Sequence, residues 1–304
     1  MKYRYVVSFL LLLTSVACRP GARVHERLQV VCTTSVIAEP LSEIFGTHAD
    51  VHALMRNGVD PHSYKAGIRD LDVLSDADVV VYNGLHLEGK MAEVLESYGR
   101  EKPVLAMSAG TDRKHFLQAE ENPGTYDPHF WFDMDLWKNG LCYVTQTICR
   151  KEALADSQAV YRGMKHYFER LDSTDRLLRS LLDSVPATRR VIVTNHDAFR
   201  YFGRAYGWEV RGLQGISTVA EPGLKDMNEL VDFVCERNIP AVFVESNLSD
   251  KSLKALRAGA AARGHQVRQG GSLYADSPGP EGSYEGTYIG MLYSNVKTLS
   301  QNLK

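Results

Sequence analysis

Two halves of this 304-residue chain repeat one pattern, in which short β-rich runs are separated by stretches of helical length. The first-half runs are Leu28–Thr33, Val51–Met55, Val79–Tyr82 and Val104–Met107, with helical patterns at Val36–Phe45, Ile68–Ser75 and Lys90–Tyr98. The second-half runs are Val191–Thr194, Glu209–Arg211, Ala241–Val244 and Gln266–Arg268. They alternate with Ala198–Tyr206, Lys225–Arg237, Ser252–Arg263 and Tyr288–Leu299. Alternation of strand and helix implies a parallel sheet with helices on both faces. Val79-Val80-Val81-Tyr82 and Ala241-Val242-Phe243-Val244 lack polar alternation, as strands buried on both faces do. The expected fold is α/β: two globular lobes, each a four-stranded parallel sheet flanked by helices.

What joins the lobes is also readable. Pro128 and Pro186 bound a stretch without proline. From Ser157 to Val185, apolar residues recur in steps of three and four (Val160, Tyr161, Met164, Tyr167, Phe168, Leu171, then Leu178, Leu181, Leu182, Val185), which marks one apolar helix face. A helix of about 28 residues reaches about 42 Å. A flexible linker would be rich in Gly, Ser or Pro instead. One long rigid helix, within 151–186, is therefore expected between an N-terminal lobe (18–150) and a C-terminal lobe (187–304). Gly163 is its expected weak point, and the gap from Leu171 to Leu178 leaves open a break near Asp172–Asp175.

Residues 1–17 read as a signal peptide: Lys2 and Arg4, then an apolar run from Val6 to Leu13 too short to span a bilayer. Ser15-Val16-Ala17-Cys18 resembles a bacterial lipobox, so the expected product is a lipoprotein anchored through Cys18 at the periplasmic or cell-surface side of a membrane. The net charge of −2, without a long basic run, argues against nucleic acid as a partner. Cys142 and Cys149 are seven residues apart on a helical pattern, too far along its axis for a disulfide; with Cys32 and Cys235 they read as small apolar residues.

Three histidines stand where loops follow strands: His62 in Asp60-Pro61-His62, His129 in Asp127-Pro128-His129 and His196 in Asn195-His196-Asp197. Asp276 follows the last expected strand through Gly270-Gly271. Intervals of 67, 67 and 80 residues exclude a local zinc finger. In open parallel sheets, ligands bind beyond the carboxyl ends of strands. The four residues share that type of edge, two per half, and converge if the halves face each other. Imidazoles with one carboxylate suit zinc or manganese.

Several ordered motifs carry a family resemblance. They are Gly58-Val59-Asp60-Pro61-His62-Ser63-Tyr64, Tyr82-Asn83-Gly84-Leu85-His86-Leu87-Glu88, Asp127-Pro128-His129-Phe130-Trp131-Phe132-Asp133, His196-Asp197-Ala198-Phe199, Gly212-Leu213-Gln214-Gly215-Ile216-Ser217-Thr218 and Glu285-Gly286-Thr287-Tyr288. Together they resemble the TroA-type zinc- and manganese-binding receptors of bacterial ABC importers, over essentially the whole mature chain. The resemblance implies two α/β domains joined by one long helix, with His62, His129, His196 and Asp276 as ligands of one transported Zn2+ or Mn2+ ion. It also implies a monomer that is not an enzyme and delivers its ion to a permease and its ATPase. Dedicated zinc receptors of the family often carry a His-rich loop, whereas Asp112–Tyr126 has only His115; many manganese receptors carry glutamate where this chain has His196.

Around the ligands, Asp60 and Asp197 are expected to fix imidazole tautomers, His86 and Glu88 to hydrogen-bond backbone beneath the site, and Glu245 to support the cleft. Trp131 and Phe132 are expected to keep it dry. His25, His48, His52, His115, His166 and His265 read as surface. The alternatives are a zinc-dependent hydrolase, with water in the fourth position, and a surface adhesin with a structural metal. No nucleophile elbow or helical histidine pair supports the first.

Overall fold

A computed structural model describes residues 27–119, 124–152 and 156–304. The signal segment 1–17, Cys18 and His25 lie outside the described residues. The first half runs β1 (Leu28–Thr34), α1 (Ser35–Phe45), β2 (Ala49–Met55), α2 (Ile68–Asp76), β3 (Val79–Tyr82), α3 (Ala92–Gly99) and β4 (Val104–Ala106). All its strand pairs are parallel, in the order β2-β1-β3-β4. Val79, Val80 and Val81 of β3 are fully buried, as an unbroken apolar run in a two-faced sheet requires.

Two helices follow: α4 (Met134–Lys151) and α5 (Ser157–Leu182). At 26 residues α5 is about 39 Å long. Asp156 caps it by accepting the Ala159 N–H at 2.9 Å, and it runs unbroken through Asp172–Asp175. Its buried residues Val160, Tyr167, Leu171, Leu178 and Leu182 form one stripe. Gly163 is not a weak point. A Cβ there would lie 2.4 Å from the Ile44 carbonyl oxygen, so the glycine lets α5 close on α1. Polar contacts tie α5 to both halves: Lys138 Nζ to Asp172 Oδ1 at 2.8 Å, and Tyr206 OH to Asp175 Oδ1 at 2.8 Å.

The second half continues β5 (Val191–His196), α6 (Arg200–Tyr206), β6 (Glu209–Gln214), α7 (Leu224–Glu236), β7 (Ala241–Glu245), α8 (Lys251–Ala262), β8 (Arg268–Leu273) and α9 (Tyr288–Asn302). Its strands form two parallel pairs, β5-β6 and β7-β8, with β5 beside β7. Where one ladder across four strands was expected, side chains bridge the carboxyl ends of the middle two. Asn195 Oδ1 accepts the Glu245 N–H at 2.9 Å, and Glu245 Oε1 accepts the His196 N–H at 2.7 Å. The last strand also differs from expectation, because Gly270 and Gly271 lie inside β8 rather than after it. A Cβ on Gly270 would stand 2.5 Å from the Phe243 ring, so this glycine makes room for a core aromatic.

One buried cluster crosses between the halves through Trp131, Phe132, Trp137, Phe199 and Tyr288. The Phe132 and Phe199 rings meet at 4.6 Å, and Trp137 meets Tyr288 at 5.5 Å. Burial of this much aromatic surface holds the halves together and keeps water from what lies beside it. Among the described residues no helix is long and apolar enough to cross a membrane, and Cys32, Cys142, Cys149 and Cys235 are free.

Candidate metal centre

His62 stands in the loop after β2, His129 in the loop between β4 and α4, His196 at the end of β5, and Asp276 three residues beyond β8. All four are buried, between 0% and 5% exposed, and one donor atom from each lies within 4.8 Å of the others. His129 Nε2 is 3.2 Å from both His62 Nε2 and His196 Nε2. Asp276 Oδ1 is 3.4 Å from His129 Nε2, and its Oδ2 is 3.4 Å from His196 Nε2 and 3.9 Å from His62 Nε2. Four donors about 2.0–2.1 Å from a zinc ion at tetrahedral angles stand about 3.3–3.4 Å apart. Four of these five separations are of that size, and the one from His62 to Asp276 is longer at 3.9 Å.

Local sequence explains how each ring is aimed. Asp-Pro-His occurs twice, and in both copies the aspartate two residues back takes the histidine N–H: Asp60 Oδ1 to His62 at 2.9 Å, Asp127 Oδ1 to His129 at 3.0 Å. Asp127 Oδ1 also meets His129 Nδ1 at 2.7 Å, so Nδ1 carries the proton and the Nε2 lone pair faces the site. Glu245 does the same for His196, its Oε2 pairing with Nδ1 while Oε1 holds the backbone N–H. Asp60 and Asp197 therefore do not fix tautomers. Asp60 serves backbone and hydroxyl groups, and Asp197 pairs with Arg200 at 3.7 Å. Asp127 was missed in the sequence, although the repeated Asp-Pro-His was a usable signal. Arg200 approaches Asp127 Oδ2 at 3.8 Å.

Glu88 has the expected place beneath the site. Its oxygens accept Thr33 Oγ1 and the N–H groups of Asn83 and Gly84, and Asn83 Nδ2 donates to the Pro128 carbonyl at 2.9 Å, next to His129. His86 is exposed and takes no part in it. Trp131 is buried with Nε1 donating to the Ala275 carbonyl at 3.1 Å across the cleft. Further bonds join the halves around the site: Gly58 N–H to Ser277 Oγ at 2.6 Å, Asn57 Nδ2 to Gly279 O at 2.6 Å and Thr218 Oγ1 to Asp60 Oδ2 at 2.7 Å.

Electrostatics follows from burying three carboxylates, Asp127, Glu245 and Asp276, against three imidazoles. Burial alone would lower the His129 and His196 pKa values, but Asp127 and Asp276 around the first, and Glu245 and Asp276 around the second, outweigh it. Both are raised, His196 well above the ordinary value. His62 is pushed down to about 4, first by burial and then by the other two imidazoles. For Asp276, burial opposes ionisation, but His196 and His129 hold its carboxyl well below the usual range. A protonated Nε2 cannot bind a cation, so a raised pKa makes protons compete over more of the pH range. Metal binding should therefore release protons at neutral pH, and affinity should begin to fall above the ordinary histidine pKa as pH drops. Calorimetry at pH 7 in buffers of unlike ionisation enthalpy would show the release as different apparent heats; equal heats would contradict it.

Three imidazoles and a carboxylate converge between two α/β halves beside a long helix, a donor set that could hold a metal ion. The family model described as "ZnuA: Zinc-uptake complex component A periplasmic" matches residues 30–302, and the chain belongs to that family. It is 44% identical over 287 residues to the manganese-binding lipoprotein MntA of Bacillus subtilis (strain 168), covering 93% of this chain and 92% of that one. It is 43% identical over 272 residues to the zinc-binding protein TroA of Treponema pallidum (strain Nichols), covering 89% and 87%. The solved structure of the periplasmic zinc-binding TroA from Treponema pallidum superposes with a TM-score of 0.88 at 41% identity, covering 91% of this chain and 99% of that one.

Proposed function

We propose that this protein is an extracytoplasmic receptor that captures one zinc or manganese ion with His62, His129, His196 and Asp276 and hands it to an ABC permease driven by its ATPase. The reading rests above all on four buried donor atoms, from four separate segments, within 4.8 Å of one another. The names of the relatives, one manganese-binding and one zinc-binding, support the same cargo class. The family is one of metal-binding receptor components rather than enzymes, which sets the hydrolase alternative aside.

In this reading residues 1–17 are removed, Cys18 carries the lipid, lobes 18–150 and 187–304 each supply two ligands, and the helix within 151–186 limits their opening. The protein acts as a monomer. Zinc fits four donors directly; both Asp276 oxygens face imidazoles, so a bidentate contact would give manganese a fifth donor. By the Irving–Williams order zinc binds more tightly at such a site, so the cargo in the cell is decided by metal supply as well as by affinity. Release requires the Asp276 segment, held to the first half at Ala275, Ser277 and Gly279, to withdraw. The same position of that segment in metal-free and loaded crystals would contradict this.

Metal analysis of protein purified from its native host tests the assignment, with about one zinc or manganese per chain expected and none in a His129→Ala variant. Glu245→Gln, which keeps the shape but removes the charge behind His196, is expected to weaken zinc binding about tenfold to hundredfold. A chelator-competition titration reads that loss, and unchanged affinity would remove Glu245 from the account.

A further inference from the structure

We propose that the ion enters and leaves beside His62, under a lid formed by the loop from Gly215 to Gly223, and that the hydrogen bond from Thr218 to Asp60 is the latch of that lid. This rests on the reading of His62, His129, His196 and Asp276 as metal ligands. His62 is the least buried of the four, at 5% exposed against 2% for Asp276 and 0% for the other two. It is also held differently. His129 and His196 are braced at Nδ1 by the fully buried Asp127 and Glu245. Asp60 holds His62 by its backbone N–H, at 2.9 Å. The ring under the thinnest cover is therefore the one whose position depends on a partly exposed loop.

The lid comes from the other half, where it joins β6 to α7. Its ends are anchored within that half. The Gly215 carbonyl accepts the Asp197 N–H at 3.2 Å, Gln214 Nε2 donates to the Ala220 carbonyl at 2.8 Å, and the Gly223 N–H bonds Asp226 Oδ2 at 2.8 Å. Between these ties Thr218 reaches across the cleft, and its Oγ1 donates to Asp60 Oδ2 at 2.7 Å. Val219, next to it, is exposed, so the loop has solvent on its outer side. Asp60 carries the lid on Oδ2 and the His62 backbone on Oδ1. Ser63 Oγ also donates to Oδ2, at 2.9 Å, so that oxygen stays partnered when Thr218 lets go and the latch is cheap to open. The His62 loop is gripped at its other end by the Asp276 segment, through Asn57 to Gly279 and Gly58 to Ser277. Opening the latch frees the His62 end while those two bonds still hold. His62 is then the last ligand to close on an arriving ion and the first to let go.

The test is the kinetics of zinc exchange in the unmodified protein, Thr218→Val and Thr218→Ser. Association is followed by stopped-flow tryptophan fluorescence, since the Trp131 ring stands 5.1 Å from that of His129. Dissociation is followed by capture with excess chelator. The latch does not touch the ion, so its loss lowers the barrier to entry and to exit alike. Thr218→Val removes the hydroxyl and keeps the branched shape. Both rates are expected to rise about tenfold, the size of one hydrogen bond to a charged acceptor, while the affinity from chelator competition stays within about threefold. Thr218→Ser keeps the hydroxyl and should hold both rates near those of the unmodified protein. Unchanged rates in Thr218→Val overturn the proposal, as do Thr218→Ser rates that follow those of Thr218→Val. A rise in dissociation alone, with weaker affinity, also overturns it, because that is what a general loosening of the halves would give. Failure of the unmodified protein to bind zinc would overturn the reading beneath it instead.

Discussion

Asp276→Ala is expected to weaken zinc binding by about two to three powers of ten while leaving the fold intact. Structural zinc sites with four protein ligands hold the ion by about 10–16 kcal/mol, or about 2.5–4 kcal/mol per ligand if shared evenly. Asp276 supplies the only negative charge among the four. The contacts that hold its segment across the cleft run through other groups: the Ala275 carbonyl, Ser277 Oγ and the Gly279 carbonyl. The loss should therefore fall on the ion rather than on closure of the halves. Competition against a chromogenic chelator measures it, with circular dichroism as the check on folding. Affinity within a few-fold of the unmodified protein would show that Asp276 is not a ligand.

The second large effect is thermal. Without an ion, Asp127, Glu245 and Asp276 are buried around His129 and His196, whose pKa values are raised, while burial holds His62 down. An ion that binds only the native state stabilises it by mass action, by about 4 kcal/mol at a thousand times Kd. For a chain of this size that raises Tm on the order of 10 °C. Calorimetric scans with zinc and with excess chelator should differ by that amount, and Asp276→Ala should show little difference. A Tm indifferent to zinc in the unmodified protein would contradict the account.

Much of this was legible in the sequence because burial on both faces leaves a plain trace. Val79–Tyr82 and Ala241–Val244 are apolar runs bounded by turn residues, and both are strands close to those limits. The long helix was legible for a similar reason, as its apolar stripe outlasts the gap between Leu171 and Leu178. The glycines misled. Gly163 looks like a weak point and Gly270-Gly271 like a turn, yet the first answers to the Ile44 carbonyl and Gly270 to the Phe243 ring. Those neighbours are distant in sequence, and a glycine's local pattern does not distinguish freedom from crowding.

The site divides in the same way. His62, His129 and Asp276 stand after strands and His196 is the last residue of one, and the position of a strand end is a local property. The groups behind them are not local. Glu245 reaches His196 across 49 residues and Asn247 reaches Asp276 across 29, through pairings that only the assembled sheet creates. Asp127 was within reach, since Asp60-Pro61-His62 uses the same turn, but its second role at Nδ1 depends on how the ring lies. His86 shows the opposite failure: it has a motif around it and an exposed side chain.

The central claim is that one ion is held jointly by both halves of the chain. Anomalous diffraction at the zinc edge from metal-loaded crystals tests it most directly. A single peak about 2.0–2.2 Å from His62 Nε2, His129 Nε2, His196 Nε2 and an Asp276 oxygen is the expected result. A peak bound by residues of one half alone, with the ligands of the other more than about 4 Å away, would contradict it.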